Sequence, residues 1–282
     1  MKPIAWLLVA ASPALAETPA LADILARVAS NQAKSVEARK QFVYREDELV
    51  RVSQTNGKRL CEQRQQFIIT PTATGMDRQM ADPAEKVAGA EKDGVVSHCG
   101  VTITGSHGES FSMQTGSGGQ NLSFGSSLGT TRDGMPRGLF PLTADEQRLY
   151  TYKLENTEML RGRQVYRISF RPNGERGSDG TPGIWKGEAL IDSEEFQPVQ
   201  VSTDVQGTIP LPVRILLGTN VRGLGFSVSY QRLADGVWFP SGFGGEFRIQ
   251  GFFFWRYVVS VNVHNTDFRR TEVKSNVTYD AK

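Results

Sequence analysis

Turn-forming dipeptides recur between runs of alternating apolar and polar residues, and this alternation limits what the chain can fold into. "QFVYREDELVRVSQ" and "KRLCEQRQQFIIT" flank Asn56-Gly57, a pair that favours the positive φ of tight hairpin turns. "IWKGEALIDSEEFQPVQVSTDV" reads as two strands turning near Ser193-Glu194. Phe226, Val228 and Tyr230 alternate with Ser227, Ser229 and Gln231 before a turn at Asp235-Gly236. In "YTYKLENTEMLRGRQVYRISFRP" one face carries Tyr150, Tyr152 and Leu154, and another carries Tyr166, Ile168 and Phe170. With a short "VTIT" run, these segments predict about ten strands in an antiparallel meander.

Helix is scarce. "TPALADILARVASNQAKSVEARK" predicts one long helix, with Thr18 as N-cap and Pro19 at the first helical position. Leu21, Ile24, Leu25, Val28 and Val36 form its apolar stripe, and Arg27, Lys34, Glu37 and Lys40 lie opposite. "PLTADEQRLY" predicts a short helix through a capping box from Thr143 to Glu146. The Gly- and Ser-rich segment from Gly105 to 130 predicts a flexible loop; the alternative is a mobile lid anchored by Phe111, Met113, Leu122, Phe124 and Leu128. Neither a repeat nor a linker interrupts the pattern. The fold class predicted is therefore mainly β (α+β), in one domain.

The N-terminus "MKPIAWLLVAASPALAETPA" has a basic Lys2, an apolar core from Ile4 to Ala11, a break at Pro13 and the small-residue end Ala14-Leu15-Ala16. This pattern predicts a secretory signal over residues 1–16 and a mature domain over 17–282. No later apolar run has the ~18 residues of a membrane-crossing helix. The formal charge of +2 falls to +1 without Lys2, too little to steer nucleic acid or an anionic membrane. Cys61 and Cys99 predict one disulfide in an oxidising compartment, with two free thiols as the alternative.

Catalytic patterns are missing. His98, His107 and His264 have no metal-ligand spacing, and neither a G-x-S-x-G elbow nor a P-loop is present. Carboxylates cluster at Glu46, Asp47 and Glu48 and at Glu194 and Glu195. Adjacent strand carboxylates face opposite sides and turn carboxylates are usually solvated, so paired acid–base work is not expected. The expectation is a protein without enzymatic activity, cofactor or metal.

Several segments together resemble a known group: "LADILARVASNQAKSVEARKQFVYRE", "GLFPLTADEQRLYTYKLENTEMLRGRQVYRISFRP", "WKGEALIDSEEFQPVQV" and "GTNVRGLGFSVSYQRLADGVWFPSGFGGEFRI". They look like exported bacterial outer-membrane lipoprotein-sorting-like proteins of the LolA-like superfamily of periplasmic lipoprotein carriers. The resemblance implies a single strongly curved antiparallel sheet, a half-barrel whose concave face is covered by the helices. It also implies an apolar cavity for a lipid or for lipoprotein acyl chains, a soluble periplasmic location and no cofactor. The Gly-rich segment departs from the group, which usually carries a charged helical stretch there.

"GFFFWRYVVSV" (residues 251–261) is too short to cross a membrane and has Arg256 at its middle; with period two it predicts a long strand on the concave side. The candidate cavity wall is Phe253, Trp255, Tyr257 and Val259, with Phe243, Phe247, Ile249, Phe226, Val228, Trp185 and Ile191. The plain alternative is a packed core under the helix with no void. A different class, a periplasmic protein-binding or sensor module with an envelope protein as partner, would instead show an exposed apolar patch on the outer face or a free sheet edge.

Overall fold

The computed structural model describes residues 19–72, 76–81, 91–92, 95–96, 99, 101–104, 110–114, 121–124, 142–177, 183, 185–205, 219–251 and 255–271. The expected signal segment, Phe253 and most of residues 105–130 lie outside them. Helix α1 spans Leu21–Arg39, with Ala20 as N-cap. It therefore starts later than the Thr18 cap predicts. Extended Ala20 (ψ 144°) turns its carbonyl to the amides of Asp23 and Ile24, so Pro19 stays outside the helix.

The strands that follow are β1 (Phe42–Gln54), β2 (Arg59–Pro71), β3 (Met76–Met80), β4 (Glu91–Lys92), β5 (Val95–Val96), β6 (Val101–Thr104), β7 (Ser110–Gln114) and β8 (Asn121–Phe124). After α2 (Ala144–Gln147) come β9 (Tyr150–Leu160), β10 (Arg163–Pro172), β11 (Trp185–Asp192) and β12 (Pro198–Val205). The chain closes with β13 (Thr219–Arg232), β14 (Trp238–Gly251) and β15 (Trp255–Arg270). Strands exceed the ten read from sequence by the short β3, β4, β5, β7 and β8, of two to five residues each, too few for alternation to register. The predicted loop at 105–130 is corrected in part: β7 and β8 pair with β6 in a separate three-stranded sheet. Ser and Gly had concealed the short alternations of "SFSMQ" and "NLSF".

The main sheet runs β4-β5-β2-β1-β15-β14-β13-β12-β11-β10-β9, with β3 added beside β2. Its pairings are antiparallel except for a single parallel β2–β5 bridge. The sheet stays open, because β9 and β4 end it without meeting. Three of its hairpins fall at the predicted turns, Asn56-Gly57, Ser193-Glu194 and Asp235-Gly236. Gly57 (φ 85°) and Gly236 (φ 86°) close two of them, and Arg161 (φ 51°) with Gly162 (φ 81°) makes the two-residue turn between β9 and β10. Thr143 caps α2 by accepting the Glu146 amide, as the capping box predicts.

Helix α1 lies across the sheet rather than along it. At one end Gln147 of α2 donates to the Leu25 carbonyl; at the other Arg39 donates to the Trp238 carbonyl, and the chain then enters β1. Seven strand spacings separate β9 from β1, about 34 Å along the sheet. A helix of 19 residues is only about 28 Å long. It can serve both ends because the sheet curves toward it, and the helix forms a chord across the concave face.

The turn between β11 and β12 fastens that chord. Asn31 donates to the Glu195 carbonyl at 2.8 Å, Gln32 donates to Gln197 at 2.8 Å, and Gln197 donates to Ser35 Oγ at 3.0 Å. Ile24 and Val28 complete the contact, fully buried in one core with Tyr166, Ile191, Tyr230 and Trp238. Two cysteines are joined: Cys61 of β2 and Cys99 form a disulfide.

Candidate functional site

Strand register assembles the concave face into rows that cross the sheet. One row reads Leu154, Ile168, Ala189, Val201, Val228, Phe243, Val263, Glu48 and Gln65, from β9 to β2. The next reads Tyr152, Phe170, Gly187, Thr203, Phe226, Gly245, Val261, Val50 and Gln63. Directly opposed residues share a face, so Tyr152 and Leu154 lie on the same side as Phe170 and Ile168, not on separate ones. The first row is apolar through β15 and turns polar at Glu48 of β1 and Gln65 of β2; the second, broken by Thr203 in β12, stays apolar through Val50 of β1 and turns polar at Gln63 of β2.

Aromatic rings mark the centre of this face. The rings of Trp185 and Phe226 meet edge to face at 5.6 Å, and Phe226 stacks on Phe243 at 5.1 Å with 17° between planes. Gly245 makes room for the stack: a Cβ there would lie 2.8 Å from the Phe226 ring. Trp185 is buried, and among the described residues its indole Nε1 has no hydrogen-bond partner.

Of the candidate wall residues, Trp185, Ile191 and Val228 are buried members of one core cluster, and Phe226 and Phe243 pack against it partly buried. Register adds Phe247 opposite Val259 and Ile249 opposite Tyr257 on the same face. Val259 is buried and Tyr257 half-buried. Trp255 opens β15 opposite Gly251. The run "GFFFWRYVVSV" is thus not one strand: Gly251 ends β14 and Trp255 begins β15, with residues 252–254 between them. Alternation could not locate that strand break, because apolar residues continue across it.

The helix is fastened at both ends of this wall. Glu195, Gln197 and Trp238 hold it where β11–β12 and β13–β14 turn, and Gln147 of α2 holds Leu25 at the other end of the strands, where β9 and β11 begin. Tyr230, Trp238, Ile191 and Trp185 share one buried core with Ile24 and Val28 of α1, while Phe226 and Phe243 pack against it only partly buried.

Two carboxylate groups differ from their sequence reading. Glu46 and Glu48, two residues apart, share the concave face and share Arg78 of β3. Burial pushes the Glu48 carboxyl up, and Arg78 offsets that only in part. In the β11–β12 turn, Glu195 is bonded rather than solvated, accepting from Trp238 Nε1 at 2.9 Å, Arg163 at 3.1 Å and Arg232 at 3.0 Å. Burial alone would raise its pKa, but these donors outweigh it and hold the carboxyl low. The concave position of Glu48 was available in the sequence, in step with Val50 and Val52. Arg78 was not, since only the β2–β3 pairing brings it there. Among the described residues no group of His, Cys, Asp and Glu could hold a metal, and no described helix is long and apolar enough to cross a membrane.

The fold and face define a mainly β protein with an open, curved sheet and one helix across its concave side. No protein-family model matches the chain, and no curated protein matches it. Solved structures similar to it include an outer membrane lipoprotein-sorting protein domain from Vibrio parahaemolyticus, 11% identical, covering 87% of this chain and 93% of that one, with a TM-score of 0.39. A LolA superfamily protein from Nitrosomonas europaea is 13% identical over 87% and 94% of the two chains, with a TM-score of 0.37. A DUF1329 family protein from Desulfovibrio piger is 10% identical over 88% and 95%, at 0.38.

Proposed function

We propose that this chain is an exported periplasmic, non-catalytic carrier or binding protein for a hydrophobic ligand, a lipid or the acyl chains of a lipoprotein. Residues 17–282 act as one domain once 1–16 are removed. The ligand's chains lie along Trp185, Phe226 and Phe243, and continue over Val259, Tyr257, Phe247 and Ile249. The supporting observation is a partly exposed apolar group on the concave face: Tyr152, Leu154, Phe226 and Phe243 stay partly buried beside a core that closes over Trp185 and Val228. Apolar surface left to water there costs roughly 25 cal/mol per Å², and an apolar chain laid on it removes that cost. The aromatic stack over Gly245 supplies flat surface with little side-chain entropy to lose.

Native mass spectrometry of protein purified from the cell envelope tests this reading. Bound species of lipid mass are expected, with a lower Tm after delipidation, since a ligand that binds only the folded state stabilises it. Phe243→Glu, a charge placed on the wall, is expected to abolish binding of a long-chain fluorescent probe. An unliganded mass together with exclusion of the probe by the wild type overturns the reading.

A further inference from the structure

The apolar wall ends at a buried polar margin. Glu48 follows Phe243 and Val263 in one row, two strands and about 10 Å from the aromatic stack. Asn265 of β15 stands opposite Glu46, and Val263 opposite Glu48, so Glu48 and Asn265 are diagonal neighbours on the concave face. Such neighbours stand about 7–8 Å apart, within the span of one bridging group. Glu48 is 3% exposed and Asn265 4%.

Each side chain is half satisfied. Arg78 Nη2 donates to Glu48 Oε2 at 2.7 Å and lies 2.7 Å from Glu46 Oε1, and its guanidinium sits 3.3 Å from the centre of the Phe67 ring. Among the described residues Glu48 Oε1 is left buried without a partner. Asn265 Nδ2 donates to the Pro240 carbonyl at 3.0 Å, which sets the amide's orientation and leaves Oδ1 likewise without one. Both unpartnered atoms are acceptors, so the site lacks a donor. It also lacks positive charge, with two carboxylates facing one guanidinium. A buried water would supply the protons but not the charge. A calcium ion takes six or more oxygens, far more than two. A primary ammonium carries three N–H donors and the charge together.

We infer that the concave site is amphipathic and selects a long-chain ligand with a primary ammonium head, held by Glu48 Oε1 and Asn265 Oδ1 while its chain lies toward Phe243. This deepens the carrier reading and rests on it. The head enters a place where both acceptors are already desolvated, so its charged hydrogen bonds replace no bulk water on the protein side.

Dodecylamine, dodecanol and dodecanoate, each displacing a long-chain fluorescent probe below its micelle concentration, test the inference. Wild-type protein is expected to bind the amine at least about tenfold more tightly than the alcohol, and the carboxylate most weakly. Glu48→Gln and Asn265→Leu are each expected to erase the amine's advantage while leaving dodecanol within about twofold. Circular dichroism and Tm confirm that each variant is folded. Equal binding of all three by wild type, as a bridging water alone would give, overturns the head-group inference and leaves the carrier reading standing. Binding of none overturns both.

Discussion

Asp192 is 1% exposed and accepts from Arg163 Nε at 2.5 Å and from the amides of Glu194 and Glu195 at 3.1 and 2.8 Å. It shapes the turn that holds Asn31, Gln32 and Ser35 of α1, so its loss loosens both turn and helix. Asp192→Ala is expected to lower stability by about 2–3 kcal/mol, read as a lower urea midpoint; part-exposed Arg163 can regain water and limits the loss. Gly245 is the second sensitive position. A Cβ there would meet the Gly225 carbonyl at 2.4 Å and the Phe226 ring at 2.8 Å. Gly245→Ala is expected to cost about 1–3 kcal/mol and to weaken probe binding, because the strand pair and the stack must both shift. The glycine doublet at Gly244-Gly245 was visible in the sequence; that a ring lies over one of them was not.

Among the elements, the long hairpins are governed by local chemistry and α1 by remote contacts. Asn56-Gly57, Arg161-Gly162 and Asp235-Gly236 set where strands reverse, since each supplies the positive φ its turn requires. The disulfide acts over a longer range, closing a loop of sequence separation 38 between β2 and Cys99. At Cys99 the backbone amide donates to Gln63, buried on the concave face. Replacing both cysteines by serine is expected to lower stability by about 3–4 kcal/mol on chain-entropy grounds, measured by denaturation with and without reductant. Reductant should leave the double variant unaffected. The pairing of Cys61 with Cys99 could be read from a count of two, whereas the short strands around Cys99 could not.

At the scale of the whole molecule, pH reports the buried charges with opposite signs. Asp192 and Glu195 have carboxyls held below their ordinary values: burial opposes this, but bonds to Arg163 and to Trp238 and Arg232 outweigh it. Their stabilisation is present above the ordinary carboxylate pKa of about 4 and is lost as pH falls through the depressed folded values. Glu48 is raised by burial, so its contribution is full below its ordinary pKa and is lost as pH rises through the raised one. Urea midpoints from pH 3 to 8 should show a loss at the acid end in the wild type. Glu48→Gln should remove the decline on the alkaline side of the carboxylate range and leave the acid loss in place.

Alternation and turn chemistry, both local properties, were enough to read a mainly β chain with one long helix and most of its hairpins. They also separated the two faces of each strand, which is why Phe226, Val228 and Phe243 could be chosen as wall residues. Local pattern has no measure of the distance between strands remote in sequence. It could not bring Arg78 to Glu48, Asn265 to the edge of the apolar wall, or Glu195 to Trp238. Nor could it show that α1 is fastened both at the strand turns and at α2, with Phe226 and Phe243 left partly buried. Those relations follow from strand order and register, where one shared face gathers residues from nine strands and the helix spans the curve as a chord.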